Sequence, residues 1–122
     1  MDHSLYEELG GKKTVEKASA ILYVNILRDE RISSFFKDID IKKHQRKMSS
    51  FLTNIFGGPS LYLGKTMRKA HVDVVKKGLN DSHVDAMMEC VHATLKELDK
   101  DDTLINKVMA QIEEHRNDVL GK

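Results

Sequence analysis

Residues 80–98 read NDSHVDAMMECVHATLKEL, and the placing of their apolar residues decides the class of fold. Val84, Met88, Val91, Leu95 and Leu98 recur in steps of three and four, the spacing of one helix face, with no strand-like alternation. Asn80, Asp81 and Ser82 offer side-chain oxygens to the first free N–H groups of that helix, and Gly78 just upstream suits a left-handed turn. The same period continues outward on both sides. Toward the N-terminus, residues 66–76 carry Met67, Ala70, Val74 and Val75, and residues 41–56 carry Ile41, Met48, Leu52 and Ile55. Residues 13–29 carry Val15, Ala18, Leu22 and Ile26, with Ser19, Tyr23 and Leu27 in the adjoining row. Toward the C-terminus, a last helix over 102–120 carries Ile105, Val108, Ile112 and Val119, with Asp101-Asp102-Thr103 as its cap. A short helix is expected near residues 3–8. Gly10-Gly11 and Gly57-Gly58-Pro59 break the pattern, so residues 57–65 are expected to form a loop. The expectation is a single all-α domain over 1–122.

Composition excludes several classes. Twenty Lys and Arg against 19 Asp and Glu leave a net charge of +1, which argues against a nucleic-acid coat protein. No run approaches the roughly 18–20 apolar residues of a membrane span, and the opening residues show no signal-peptide pattern. One cysteine, Cys90, excludes an intramolecular disulfide and reads as a small buried filler rather than a nucleophile. A cytoplasmic location is the default expectation.

The informative positions are polar residues that interrupt apolar rows. His44 sits between Ile41 and Met48, His71 between Met67 and Val74, and His115 between Ile112 and Val119. Tyr23 lies in the inward row of its own segment. A buried polar group without a partner costs roughly 1–3 kcal/mol, so each of these needs one. Two readings stand at this point: core histidines bonded to backbone, or histidines converging on a shared ligand or metal. His3, His83 and His92 fall in surface or structural positions, and the methionines fill gaps in the core. The basic set Lys42, Lys43, Arg46, Lys47, Arg68 and Lys69 reads mostly as a solvated face, with an anion such as a carboxylate as the other possibility. No aromatic residues interleave with it for nucleic-acid stacking. Histidines 44, 71 and 115 have no local zinc spacing. Haem asks for one firm histidine, an apolar slot and a few polar donors opposite it.

The ordered motifs carry a resemblance. Leu5-Tyr6-Glu7-Glu8-Leu9-Gly10-Gly11, Leu22-Tyr23-Val24-Asn25, Phe35-Phe36, Asp40-Ile41 and Phe51-Leu52 follow one another along the chain. Gly57-Gly58-Pro59, Tyr62-Leu63-Gly64 and Met67-Arg68-Lys69-Ala70-His71 complete the set. In this order and spacing the chain resembles the group I truncated haemoglobins. The resemblance implies a shortened globin fold, two helices over two, around haem b. It implies His71 as the proximal iron ligand and Tyr23 as the distal hydrogen-bond donor, with His44 as a second donor. It also implies a pocket lined by Phe36, His44, Lys47, Met48, Phe51, Met67 and His115. Met48 stands where the family often has glutamine, and Val84 where phenylalanine is common.

Two further expectations come from relatives that the chain resembles. Lys47, three residues after His44, either pairs with a haem propionate or ligates the iron as a neutral amine; His44 as sixth ligand and an open site are the other outcomes. His115, in His115-Arg116-Asn117-Asp118-Val119-Leu120, matches a motif whose histidine can add to a haem vinyl group; otherwise it is a core histidine. The implied function is reversible binding of O2, NO or CO, for oxygen transport or for NO detoxification by an NO dioxygenase reaction that needs a reductase. The chain is expected to be a monomer without nucleic-acid or membrane partners. Two alternatives remain from the residues alone: a cofactor-free helical signalling or interaction module, and a basic anion-binding bundle.

Overall fold

A computed structural model describes residues 5–36, 42–43, 46, 48–49, 51–53, 68–69 and 71–122. Among these the regular structure is helical, with no strand. The expected loop over 57–65 lies outside the described residues.

The opening helix, Leu5–Leu9, turns into the long helix Gly11–Arg28 through the glycine pair. Gly10 has φ 111°, a left-handed conformation, and a Cβ there would sit 2.2 Å from Thr14 Oγ1. Only glycine is free of both penalties. Along Gly11–Arg28 the buried residues are Thr14, Val15, Ala18, Ser19, Leu22, Tyr23 and Ile26, the inward row read from the sequence. Leu27 is a correction: at 46% exposed it faces outward, one position past Ile26, where the inward row of this helix ends. Ser19 Oγ lies 2.8 Å from Ser49 Oγ and so ties this helix to the helical residues 48–49, where Met48 is buried. The chain then bends at Asp29, whose carboxylate accepts from the Arg31 backbone N–H at 3.0 Å, into one 3₁₀ turn, Ser33–Phe36.

The helix Asp81–Glu97 starts as its cap residues require. Asn80 Oδ1 accepts from the Ser82 N–H at 2.9 Å, and His83 Nδ1 accepts from the Asn80 N–H at 2.9 Å. His83 fills the place usually taken by Glu or Gln in a capping box, and its ring stands edge-on to Phe35 at 4.9 Å. Its expected surface or structural role is therefore structural. The buried side of this helix is Val84, Ala86, Cys90, Val91, Thr94 and Leu95.

Asp101 caps the next helix by accepting from the Thr103 N–H at 2.7 Å. The single helix expected over 102–120 is instead two, Asp102–Glu114 and Arg116–Leu120. At His115 the backbone leaves helical geometry, with φ −101° and ψ 6°, and its N–H bonds back three residues to the Ile112 carbonyl. The break lets the imidazole go inward while Arg116 reaches Asp81, Asp85 and Glu113.

In space, Gly11–Arg28 packs on Asp81–Glu97, which packs on Asp102–Glu114. The opening helix bridges the first and last of these three, and Arg116–Leu120 closes against the second and third. The core runs through Leu9, Leu22, Ile26, Leu52, Leu95 and Ile105.

Candidate functional site

Tyr23 is placed inward by the fourth turn of its helix and is 3% exposed. Its ring meets the edge of Phe36 with centroids 6.2 Å apart and planes at 78°. Burial pushes the phenol above its ordinary pKa, so the hydroxyl keeps its proton and stays a donor. Met48 is buried in the core, and Phe51 and Phe36 pack against that core half-buried. His71 is half-buried on the helical residues 71–76. His44, Lys47 and Met67 lie outside the described residues. Val84 is buried, and Cys90 is a buried thiol pushed up to about 11, first by burial and then by the Asp29 carboxylate. That agrees with an unreactive filler.

Three further side chains, Arg68, Asp118 and His115, are joined in a chain of contacts. Arg68, three residues before His71, donates through Nη2 to Asp118 Oδ1 at 3.0 Å and to the Lys122 carbonyl at 2.9 Å. Asp118 Oδ2 lies 3.2 Å from His115 Nδ1. The bond with His115, and then Arg68, hold the Asp118 carboxyl below the usual carboxylate range. His115 is 4% exposed, and its Nε2 is buried with no hydrogen-bond partner among the described residues. Arg68, still 46% exposed, thus also meets a carboxylate, the second of the two roles that the sequence allowed. Sequence reasoning missed Asp118. Its signal was the spacing of three residues from His115, which brings the two onto one helical face. Among the described residues no group of three or more His, Cys, Asp or Glu comes together to hold a bare metal ion.

The family of the chain is plain from the proteins it is similar to. The bacterial-like globin family matches residues 4–120. The chain belongs to the group 1 truncated haemoglobins of that family. It is 41% identical over 121 residues to the group 1 truncated hemoglobin of Tetrahymena pyriformis, covering 98% of this chain and 96% of that one. It is 42% identical to the group 1 truncated hemoglobin of a Synechocystis strain, covering 98% of each. The crystal structure of the 2/2 hemoglobin from Synechococcus sp. PCC 7002, in the cyanomet state and with covalently attached heme, superposes with a TM-score of 0.89. That match has 41% identity and covers 98% of this chain and all of that one. The expected shortened globin fold is thus borne out, and with it haem b as cofactor and haem-based gas binding as general activity.

The residues present fit that cofactor. A buried imidazole nitrogen without a hydrogen-bond partner among the described residues is the chemistry a haem edge can use, and a buried phenol beside a phenylalanine suits an apolar gas pocket. No helix among the described residues is long and apolar enough to cross a membrane.

Proposed function

We propose that this chain reversibly binds O2, NO or CO on haem b, with His71 as the proximal iron ligand and Tyr23 as the distal donor. The observation that carries this reading is Tyr23 itself: a phenol 3% exposed, edge-on to Phe36, in the fold of a haem-protein family. Haem would supply a ferrous iron with one side open to a diatomic gas. The chain's own residues do the rest. His71, on the helical residues 71–76, would hold the iron. Phe36, Met48, Phe51 and Met67 give the pocket an apolar lining that excludes water. Tyr23, kept neutral by burial, directs an O–H toward negative charge on a bound gas. Met48 has no amide to offer, so His44 is the second donor.

Lys47 competes for the iron as a neutral amine. Neutralising a lysine of ordinary pKa at pH 7 costs about 4–5 kcal/mol, so this ligand strengthens as pH rises. Its other role is to pair with a haem propionate. His115 is the residue for a covalent link, by analogy with the Synechococcus protein described as having covalently attached heme. A sixth protein ligand slows simple oxygen storage and favours NO detoxification, in which an external reductase returns the iron to the ferrous state. The protein works as a monomer.

Ultraviolet–visible spectra of ferric, ferrous and CO-bound protein between pH 6 and 10 test these points together. Wild type is expected to show a Soret band and a ferric spectrum that shifts with pH; Lys47→Ala should lose the shift and His71→Leu should lose the haem. Protein that stays colourless with excess haem would end this reading and favour the cofactor-free module. A pH-independent ferric spectrum, the same in Lys47→Ala, would remove the lysine alone.

A further inference from the structure

We propose that Asp118, braced by Arg68, is a positioning residue that holds His115 in the tautomer whose bare Nε2 can bond to haem. This rests on the covalent-link reading above and deepens it. An ionised carboxylate only accepts hydrogen bonds and a guanidinium only donates them. With Asp118 Oδ2 3.2 Å from Nδ1, the proton of the neutral imidazole belongs on Nδ1, and Nε2 is left with a lone pair. That lone pair is buried, and no group among the described residues uses it. A structural histidine would satisfy its second nitrogen, since an unmet buried acceptor costs roughly 1–3 kcal/mol. Here the nitrogen is held ready for a partner that no described residue supplies.

Arg68 gives the clamp its second half. Its Nη2 reaches both Asp118 and the Lys122 carbonyl, so the carboxylate is fixed from the side opposite the imidazole. Arg68 precedes His71 by three residues, about one helical turn. The residue that steadies the attacking imidazole therefore lies three positions before the proposed iron ligand in the chain.

The step balances without an oxidant or reductant. The Nε2 lone pair forms a nitrogen–carbon bond to one vinyl carbon, the π bond breaks, and its electron pair takes a proton from solvent at the other carbon. His115 then carries one positive charge and still has its Nδ1 proton, facing the Asp118 carboxylate.

Asp118→Asn separates this role from mere packing. Arg68 can only donate, so the amide oxygen must turn to Arg68 and the NH2 group to His115 Nδ1. The imidazole proton then moves to Nε2 and the lone pair is lost, the logic by which replacing the aspartate of a serine-protease triad with asparagine installs the wrong tautomer. The measurements are the haem retained on the polypeptide after reduction and acid–butanone extraction, and the His115 tautomer by nitrogen-15 NMR of the CO-bound protein. Wild type is expected to link and to show Nδ1–H. Asp118→Asn should link at least tenfold more slowly and show Nε2–H. The double variant Arg68→Ala with Asp118→Asn frees the amide to flip and should recover much of the linking rate. Asp118→Asn that links as fast as wild type, or wild type with its proton on Nε2, would overturn the clamp. Wild type that releases all of its haem would overturn the covalent link, and this role with it. Should Asp118→Asn fail to load haem, wild type and Arg68→Ala decide the matter: Arg68→Ala should keep Nδ1–H and link several-fold more slowly, and an unchanged rate counts against the brace.

Discussion

At Tyr23 a single hydroxyl separates packing from function. Tyr23→Phe keeps the ring against Phe36 and removes only the donor, so the fold should change little. Oxygen release from the ferrous protein should quicken by about tenfold, the equivalent of one hydrogen bond of roughly 1.4 kcal/mol. Stopped-flow displacement of O2 by CO reads this directly, and an unchanged release rate would strip Tyr23 of its role. The direction of the phenol shift adds a pH test. Because the folded pKa is raised, the fold favours the neutral phenol. That preference is complete below the unfolded value of about 10 and is lost as pH rises through the folded one. The tyrosine therefore adds no pH dependence to oxygen release between pH 6 and 8. His115 and Asp118 differ in legibility. The burial of His115 was readable from its row, whereas its partner was not, because a helical wheel names a face and not the atom that a side chain meets there.

Helix ends were the most legible elements. Asn80 and Asp101 cap as their side chains suggest, since capping depends on two or three neighbouring residues and needs no tertiary contact. Asn80→Ala removes the acceptor for the Ser82 N–H and should cost about 1 kcal/mol. A thermal melt should fall by roughly 3–6 °C, and an unchanged melt would show that the helix starts as well without the cap. The break at His115 was illegible for the opposite reason. Residues 102–120 keep their helical period across it, so periodicity carries no trace of the kink. It is set by where His115 and Arg116 find their partners, one inside and one outside.

Across the whole molecule, Arg116 gathers Asp81 at 3.1 Å, Asp85 at 2.6 Å and Glu113 at 2.8 Å, and so binds the C-terminal segment to the start of Asp81–Glu97. Hydrogen bonding from Arg116 holds the Asp81 carboxyl below its ordinary range, with Lys122 adding to the effect. A depressed carboxylate contributes stability above its unfolded pKa of about 4 and loses it as pH falls through the folded value. Arg116→Met keeps the stem and deletes the charge, so stability should fall less steeply between pH 5 and 3 than in wild type. Denaturant midpoints taken across that range measure it, and parallel curves would show that the cluster contributes nothing.

By itself the sequence determined the helical class, the inward rows, the caps and the membership of a haem-protein family, because each of these is written in short-range spacing or in an ordered set of motifs. The tertiary structure alone decided which distant polar groups meet. Arg68 and Asp118 are 50 residues apart, and Arg116 and Asp81 are 35 apart. Such pairs form only once helices have been packed side by side, and the register of that packing is a sum over the whole core that no local pattern records.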